Sequence, residues 1–132
     1  MHKRIGPELP ARISPATLAG NLLFATNIPV DIDTGEFIGG SIEVQARQTF
    51  ENLVYFVEQA GGTLADIAQL TVFLADSGDF SGMNKVYNAI FTTPPFPTRA
   101  TVIARSLIGP PGILIETTAC AVISTHADGP GF

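Results

Sequence analysis

The sequence predicts a single α+β domain, in which a mixed β-sheet carries two helices packed on one face. The chain has 132 residues, of which 45% are hydrophobic and only 14% are charged. Two helical patterns alternate with short apolar runs of strand length. A chain of this length can bury a substantial core but is too short for two domains. We therefore expect one domain over residues 1–132, with an extended arm at 1–11 and a loosely ordered tail at 124–132.

The N-terminal part of the chain is interrupted by prolines at positions 7, 10 and 15. Proline cannot donate a ladder hydrogen bond, so residues 1–17 are expected to form an extended arm or an irregular edge strand. Gly20-Asn21 then indicates a turn that leads into a short buried strand at 22–26.

Two helices are predicted downstream. The first begins after Ser41, a favourable N-cap, and ends at Gly61-Gly62. A strand over 68–74 follows, and its alternation places Leu70, Val72 and Leu74 on one face. The second helix begins after residues 77–81, and four of its apolar residues recur at helical spacing and are expected in the core: Met83, Val86, Tyr87 and Ile90.

Residues 98–123 predict a two-stranded hairpin, with strands over 98–105 and 113–122 and a tight corner at 108–112. Both faces of the second strand are largely apolar. Two helices on one side leave the other face uncovered, so we expect that face to meet another subunit.

Several function classes are disfavoured by composition. The formal net charge is −5 and the seven basic residues are scattered, which opposes binding to nucleic acid. There is no apolar run of membrane-spanning length and no signal-peptide pattern at the start, so no membrane partner is expected and the cytoplasm is the expected location. Cys120 is the only cysteine and is expected to be a small core residue; the histidines, His2 and His126, lie in the tails, so no metal site is expected.

Arg99 and Glu116 are the two residues whose positions need an explanation. Each lies in an apolar strand, where an isolated charge is costly. One explanation is a structural ion pair, either between the two or with Arg105, Arg47 or Lys85. The other is a binding or catalytic role, because a guanidinium can bind a carboxylate with two parallel hydrogen bonds.

The segment Phe96-Pro97-Thr98-Arg99-Ala100-Thr101-Val102, together with Ile115-Glu116, resembles the YjgF/RidA family. The similarity extends over residues 12–123 and includes Gln45-Ala46-Arg47-Gln48 and the run from Ala60 to Ile67. The resemblance implies a chorismate-mutase-like fold and a homotrimer with the sheets inside. It also implies substrate sites at the clefts between subunits.

The resemblance further implies that the protein is a hydrolase, a deaminase of reactive 2-imino or enamine acids such as 2-iminopropanoate. Arg99 would bind the substrate carboxylate and Glu116 would hold the attacking water. The substrate pocket would also include Thr101, Ile13, Phe91 and Asn27. The products would be a 2-keto acid and ammonia, and the reaction needs no cofactor or metal.

Three differences from the family pattern predict an altered pocket. Ala100-Thr101 replaces a Ser-Cys pair, Ile13 occupies the position of a tyrosine, and Thr26-Asn27 replaces a Ser-Gly-Gln sequence. Two alternative functions follow: a non-catalytic protein that binds small carboxylates, and an aminomuconate-type deaminase that uses the space at Ile13. RNA cleavage, an activity attributed to some family members, is disfavoured by the acidic composition.

Overall fold

One six-stranded mixed sheet and two helices form the structure, a computed structural model that describes residues 1–124. The tail predicted at 124–132 therefore lies outside the described residues, except for Ser124. The strands and helices, in chain order, are β1 (Lys3–Ile5), β2 (Ala16–Ala19), β3 (Leu22–Asn27), α1 (Ile42–Gln59), β4 (Ile67–Leu74), α2 (Phe80–Ile90), β5 (Thr98–Ile103) and β6 (Ile115–Val122).

The strands lie in the order β1-β2-β3-β6-β4-β5. Among the strands of residues 1–124, β4 and β5 are parallel and all other neighbouring pairs are antiparallel. The α+β class and the mixed sheet predicted from the sequence are therefore confirmed. In the part of the chain that the structure describes, no helix is both long and apolar enough to cross a membrane.

The first helix begins where its cap predicts. The Ser41 side chain accepts a hydrogen bond from the Val44 backbone N–H, and the helix ends just before Gly61, which has φ +93°. A positive φ is readily adopted only by glycine, so Gly61 ends the helix without strain.

Both helices cover the same face of the sheet. Side chains that point to this side, which we call the closed face, are fully buried against the helices, among them Leu70, Val72 and Leu74 of β4. Side chains on the other side, the open face, remain accessible; Phe24 of β3 is 46% exposed and Val122 of β6 is 42% exposed. The prediction of two helices on one face is thus confirmed.

The predicted hairpin over 98–123 is wrong, because β4 lies between β5 and β6. The helix α2 joins β4 to β5, and a strand–helix–strand connection of this kind makes its two strands parallel neighbours. The chain then crosses at 104–114 to the other side of β4, where β6 pairs with both β4 and β3. The short corner at 108–112 suggested direct pairing, but β5 ends at Ile103 and β6 begins only at Ile115.

The N-terminal segment contains an edge strand, β1, paired to β2, in agreement with the edge strand considered for residues 1–17. One further difference concerns the open face. Cys120 is half-buried and is the cross-strand neighbour of Phe24 on the open face. The prediction of a core position for Cys120 is therefore wrong within one chain.

Gln45 connects the start of α1 to the start of β6. Its Nε2 donates to the carbonyl oxygens of Gly40 (3.1 Å) and Gly112 (3.0 Å), and its Oε1 accepts from the Leu114 N–H (2.9 Å). The side chain is 0% exposed, and buried polar groups of this kind are costly to leave unpaired. Gln45 therefore fixes where the strand that carries Glu116 begins.

We expect Gln45→Leu to lower the free energy of unfolding by about 2–4 kcal/mol, because the shape is nearly kept while three backbone groups lose their partner. Urea denaturation would measure the change. Gln59→Leu, at the exposed end of the same helix, is the matched control and should alter stability little. Equal losses in the two variants would contradict the assigned role of Gln45.

Candidate functional site

Arg99 lies on the edge strand β5, on the closed face, beside Leu70 of β4. Its Nη1 donates to Asn84 Oδ1 at 2.9 Å, and its guanidinium carbon is 4.4 Å from the centre of the Tyr87 ring and 5.8 Å from that of Phe80. An arginine stacked on aromatic faces gains cation–π attraction and loses little entropy when it binds a ligand. The guanidinium is therefore held in place by α2.

Tyr87 is itself fixed from behind. Its ring stacks on Phe91 with a centroid distance of 4.4 Å and meets the edge of Phe50 at 6.0 Å. Burial raises the pKa of Tyr87 and the nearby Arg99 charge opposes this in part. The phenol consequently stays protonated at neutral pH. Phe91, predicted to line the pocket, is 6% exposed and supports Tyr87.

Neither Arg99 nor Glu116 forms an ion pair within residues 1–124. The salt bridge that occurs there joins Lys85 and Glu43 at 3.6 Å on the surface. The structural ion pair considered from the sequence is thus not formed among these residues. Arg99 is half-buried and its hydrogen bond to Asn84 leaves the Nε and Nη2 donors for another acceptor.

Glu116 lies on β6 beside Phe73 of β4, half-buried on the open face. Burial raises the pKa of its carboxyl group. Successive residues of a strand point to opposite faces, and residues paired across strands point to the same face. Arg99 is paired with Leu70 and Glu116 with Phe73, so the two side chains lie on opposite faces of one chain's sheet.

The remaining predicted pocket residues are dispersed. Thr101 is half-buried and lies on the same face as Arg99, two residues further along β5. Ile13 is 67% exposed in the segment before β2, far from β5 in the strand order. Asn27 is 4% exposed, and its side chain lies on the closed face. Its Oδ1 atom has no hydrogen-bond partner within residues 1–124, and the same is true of Oγ1 of Thr117, its cross-strand neighbour. One chain therefore brings together only Arg99 and Thr101.

Asn84 and Tyr87 were not recognised as site residues from the sequence. They lie three positions apart on α2, so they share one side of the helix. The apolar spacing of α2 predicts a core position for Tyr87, and no sequence pattern described above assigns a role to Asn84. The sequence signal for Asn84 is that it is a polar residue beside an apolar stripe, about one helical turn before a tyrosine.

Within residues 1–124, no group of three or more His, Cys, Asp or Glu side chains is placed to hold a metal ion.

Comparison with known proteins agrees with this architecture. A family model described as Endoribonuclease L-PSP matches residues 6–123. The chain is a member of the YjgF/RidA family. The resemblance noted in the sequence is thus confirmed for nearly the whole chain.

Three members illustrate the similarity. A RutC family protein of Pyrococcus horikoshii is 42% identical over 120 residues, covering 90% of this chain and 89% of its own. A 2-iminobutanoate/2-iminopropanoate deaminase of Salmonella typhimurium is 38% identical over 129 residues, covering 92% and 98%. The crystal structure of Escherichia coli TdcF with bound serine superposes with a TM-score of 0.80 at 32% identity, covering 92% and 96%.

The raised pKa of Glu116 predicts a pH-dependent effect on stability. When folding raises the pKa of a carboxyl group, the protonated group stabilises the folded state. This contribution is fully present below the pKa of the unfolded state and is lost as pH rises through the raised pKa of the folded state. Glu116→Gln keeps the neutral form at every pH. We expect it to raise Tm at pH 7 by on the order of 2 °C, with the difference vanishing when the pH falls below 4.5, the ordinary pKa of a glutamate carboxyl.

Thermal melts of the two proteins between pH 4 and pH 8 would measure this effect. Glu58→Gln, on the exposed side of α1, serves as the control and should show no such dependence. A Glu116→Gln variant that is less stable at pH 7 would mean that the carboxylate has a stabilising partner.

Proposed function

We propose that this YjgF/RidA protein is a hydrolytic deaminase of reactive 2-imino or enamine acids. The observation that carries the proposal is Arg99: a half-buried guanidinium, oriented by Asn84 and Tyr87, with no carboxylate partner within residues 1–124. A substrate carboxylate would supply the missing negative charge through two parallel hydrogen bonds.

The reaction is addition of water to a C=N bond. Water adds its oxygen to the imine carbon while the nitrogen gains a proton, and the resulting carbinolamine then releases ammonia as the C=O bond forms. The electrophile is already reactive, so fixing the acid and presenting a water molecule accounts for useful catalysis. In this proposal Arg99 does the first and Glu116 the second.

The raised pKa of Glu116 suits that role. A carboxylate whose pKa is raised by burial is a stronger base than an ordinary glutamate. Such a group can accept a proton from the attacking water and return it to the leaving nitrogen.

The proposed site is shared between chains. Arg99 and Glu116 lie on opposite faces of one sheet, so a common cavity requires Arg99 from one subunit and Glu116 from another. The accessible side chains of the open face, including Phe24 and Val122, favour burial of that face against further copies. We propose a homotrimer with the open faces inside.

Relatives support the chemistry. The similar Salmonella protein carries the name of an imine deaminase, and TdcF was solved with serine, which has an α-carboxylate of the kind proposed for Arg99. The family description names an endoribonuclease, but a net charge of −5 opposes RNA binding.

Substitution of Arg99 should weaken turnover of 2-iminopropanoate. Arg99→Lys keeps the charge but loses the planar fork, and we expect kcat/KM to fall roughly 10- to 100-fold, mainly through KM. In Arg99→Ala, kcat/KM should fall further, because the positive charge is lost as well. Coupled detection of the 2-keto acid would measure both, with the exposed Arg105→Ala as a control that keeps activity. Unchanged kcat/KM in Arg99→Ala, with the fold intact, would exclude the proposal.

The shared site makes a complementation prediction. Arg99→Ala and Glu116→Gln should each be inactive alone. When equal amounts are refolded together, about one quarter of the interfaces in a random ring would contain both native residues, so about one quarter of wild-type activity should return.

The control is the double variant, Arg99→Ala with Glu116→Gln, refolded with either single variant. No interface in those mixtures pairs both native residues, and they should stay inactive. If the two single variants together remain inactive although mixed trimers form, Arg99 and Glu116 do not act across subunits.

A further inference from the structure

Three threonines lie in a row across the open face. Thr118 of β6 is paired in register with Thr26 of β3 on one side and with Thr71 of β4 on the other. Paired residues point to the same face, so the three hydroxyl groups lie side by side on three neighbouring strands. We call Thr26, Thr118 and Thr71 the threonine row. Its central strand, β6, is the strand that carries Glu116.

The spacing of the threonine row suits bridging water. Cross-strand pairs place their Cβ atoms about 4.5–5.5 Å apart, and an O–H···O hydrogen bond spans about 2.8 Å. One water molecule between two neighbouring hydroxyl groups therefore satisfies both. The hydrogen bond that the row makes within residues 1–124 is at Thr71, whose Oγ1 accepts from Gln69 Nε2 at 2.7 Å. The O–H of Thr71 is thus available as a donor along the row.

Glu116 lies next to the threonine row. It precedes Thr118 by two residues on β6, so both side chains are on the open face, with Cα atoms about 7 Å apart. The residue paired with Glu116 on β4 is Phe73, whose side chain has no hydrogen-bonding group. The longer glutamate side chain can approach Thr118 closely enough for one water molecule to contact both groups. The row therefore supplies polar neighbours to Glu116 on the side away from Phe73.

The threonine row opens into a depression of about 400 Å³ on the open face, whose lining includes Thr26, Gln69 and Thr118. Burial of a hydroxyl group without a hydrogen-bond partner is costly. When the open face packs against further copies, this depression therefore favours retained water over a dry contact. Hydrolysis requires water beside the base, and the row keeps it there.

We infer that the threonine row holds ordered water and supplies the attacking water to Glu116, with Thr118 contacting the molecule nearest the carboxylate. This inference rests on the proposed role of Glu116 as the general base. Glu116 accepts one proton from that water as the water oxygen bonds to the imine carbon. The C=N π electrons move to nitrogen, which then receives the proton from Glu116. Thr118 keeps its own proton and orients the water throughout.

Substitutions of Thr118 test the inference in the full chain with 2-iminopropanoate as substrate. Thr118→Val removes the hydroxyl group and keeps the β-branched shape. We expect kcat to fall about tenfold through loss of one hydrogen bond to the reacting water. KM should be unchanged, because Arg99 binds the carboxylate. Thr118→Ser restores a hydroxyl group at the same position and should recover most of the lost kcat.

The outer members of the row should matter less. Thr26→Val and Thr71→Val should each lower kcat about two- to threefold, because each removes a more distant hydroxyl group. Thr17→Val is the matched control: Thr17 is half-buried on the open face of β2 and is paired with Phe24, outside the row. It should keep wild-type kcat. Thermal melts verify that each variant is folded.

Glu116→Gln separates this inference from the proposed function. If Glu116→Gln keeps wild-type kcat, the assignment of the base is wrong and the inference falls with it. If Glu116→Gln is inactive while Thr118→Val keeps wild-type kcat, imine hydrolysis stands and the role of the threonine row is excluded. An equal loss of kcat in Thr118→Val and Thr118→Ser, or in Thr17→Val, would also overturn the inference.

Discussion

Coverage of the sheet on one face alone is the constraint on which the rest of the structure depends. Both helices pack their apolar sides onto the closed face, where Phe50, Leu53 and Leu70 are fully buried. Every strand residue is thereby assigned to one of two environments, a complete core or an accessible surface. The positions of Arg99 and Glu116 follow from this division, because one lies beside Leu70 and the other beside Phe73.

The second organising feature is the support behind Arg99. A guanidinium at an edge strand would normally sample many rotamers, and fixing it costs entropy. Here the stack of Phe91 on Tyr87, and of Tyr87 under Arg99, connects the charge to the core of the protein. Asn84 adds direction through one hydrogen bond. The ordering cost is met by folding, which leaves more of the interaction energy for a bound carboxylate.

Much of the fold could be predicted from local patterns. The cap at Ser41, the apolar stripe of α2 and the alternation of β4 are short-range signals, and each corresponds to an observed element. Strand order is different, since it depends on contacts between distant segments. The corner near Gly109 suggested that β5 and β6 pair, whereas the chain carries β6 past β4.

The candidate site was predictable in part for the same reason. Arg99 and Glu116 stood out because a charge in an apolar strand is unusual. Their opposite faces could not be deduced, because a face is defined only once the register with β4 is known. The support from Asn84 and Tyr87 depends on how α2 docks, which no single segment of sequence encodes.

The open face also makes the proposed turnover depend on the concentration of the protein. The core on the closed face is complete within one chain, so an isolated subunit would keep its secondary structure when diluted. In that isolated subunit, Arg99 and Glu116 would lie on opposite faces of the sheet. Under the shared-site proposal, turnover per chain would therefore decline on dilution while the far-ultraviolet spectrum stayed constant, and the cell would need enough copies for chains to meet.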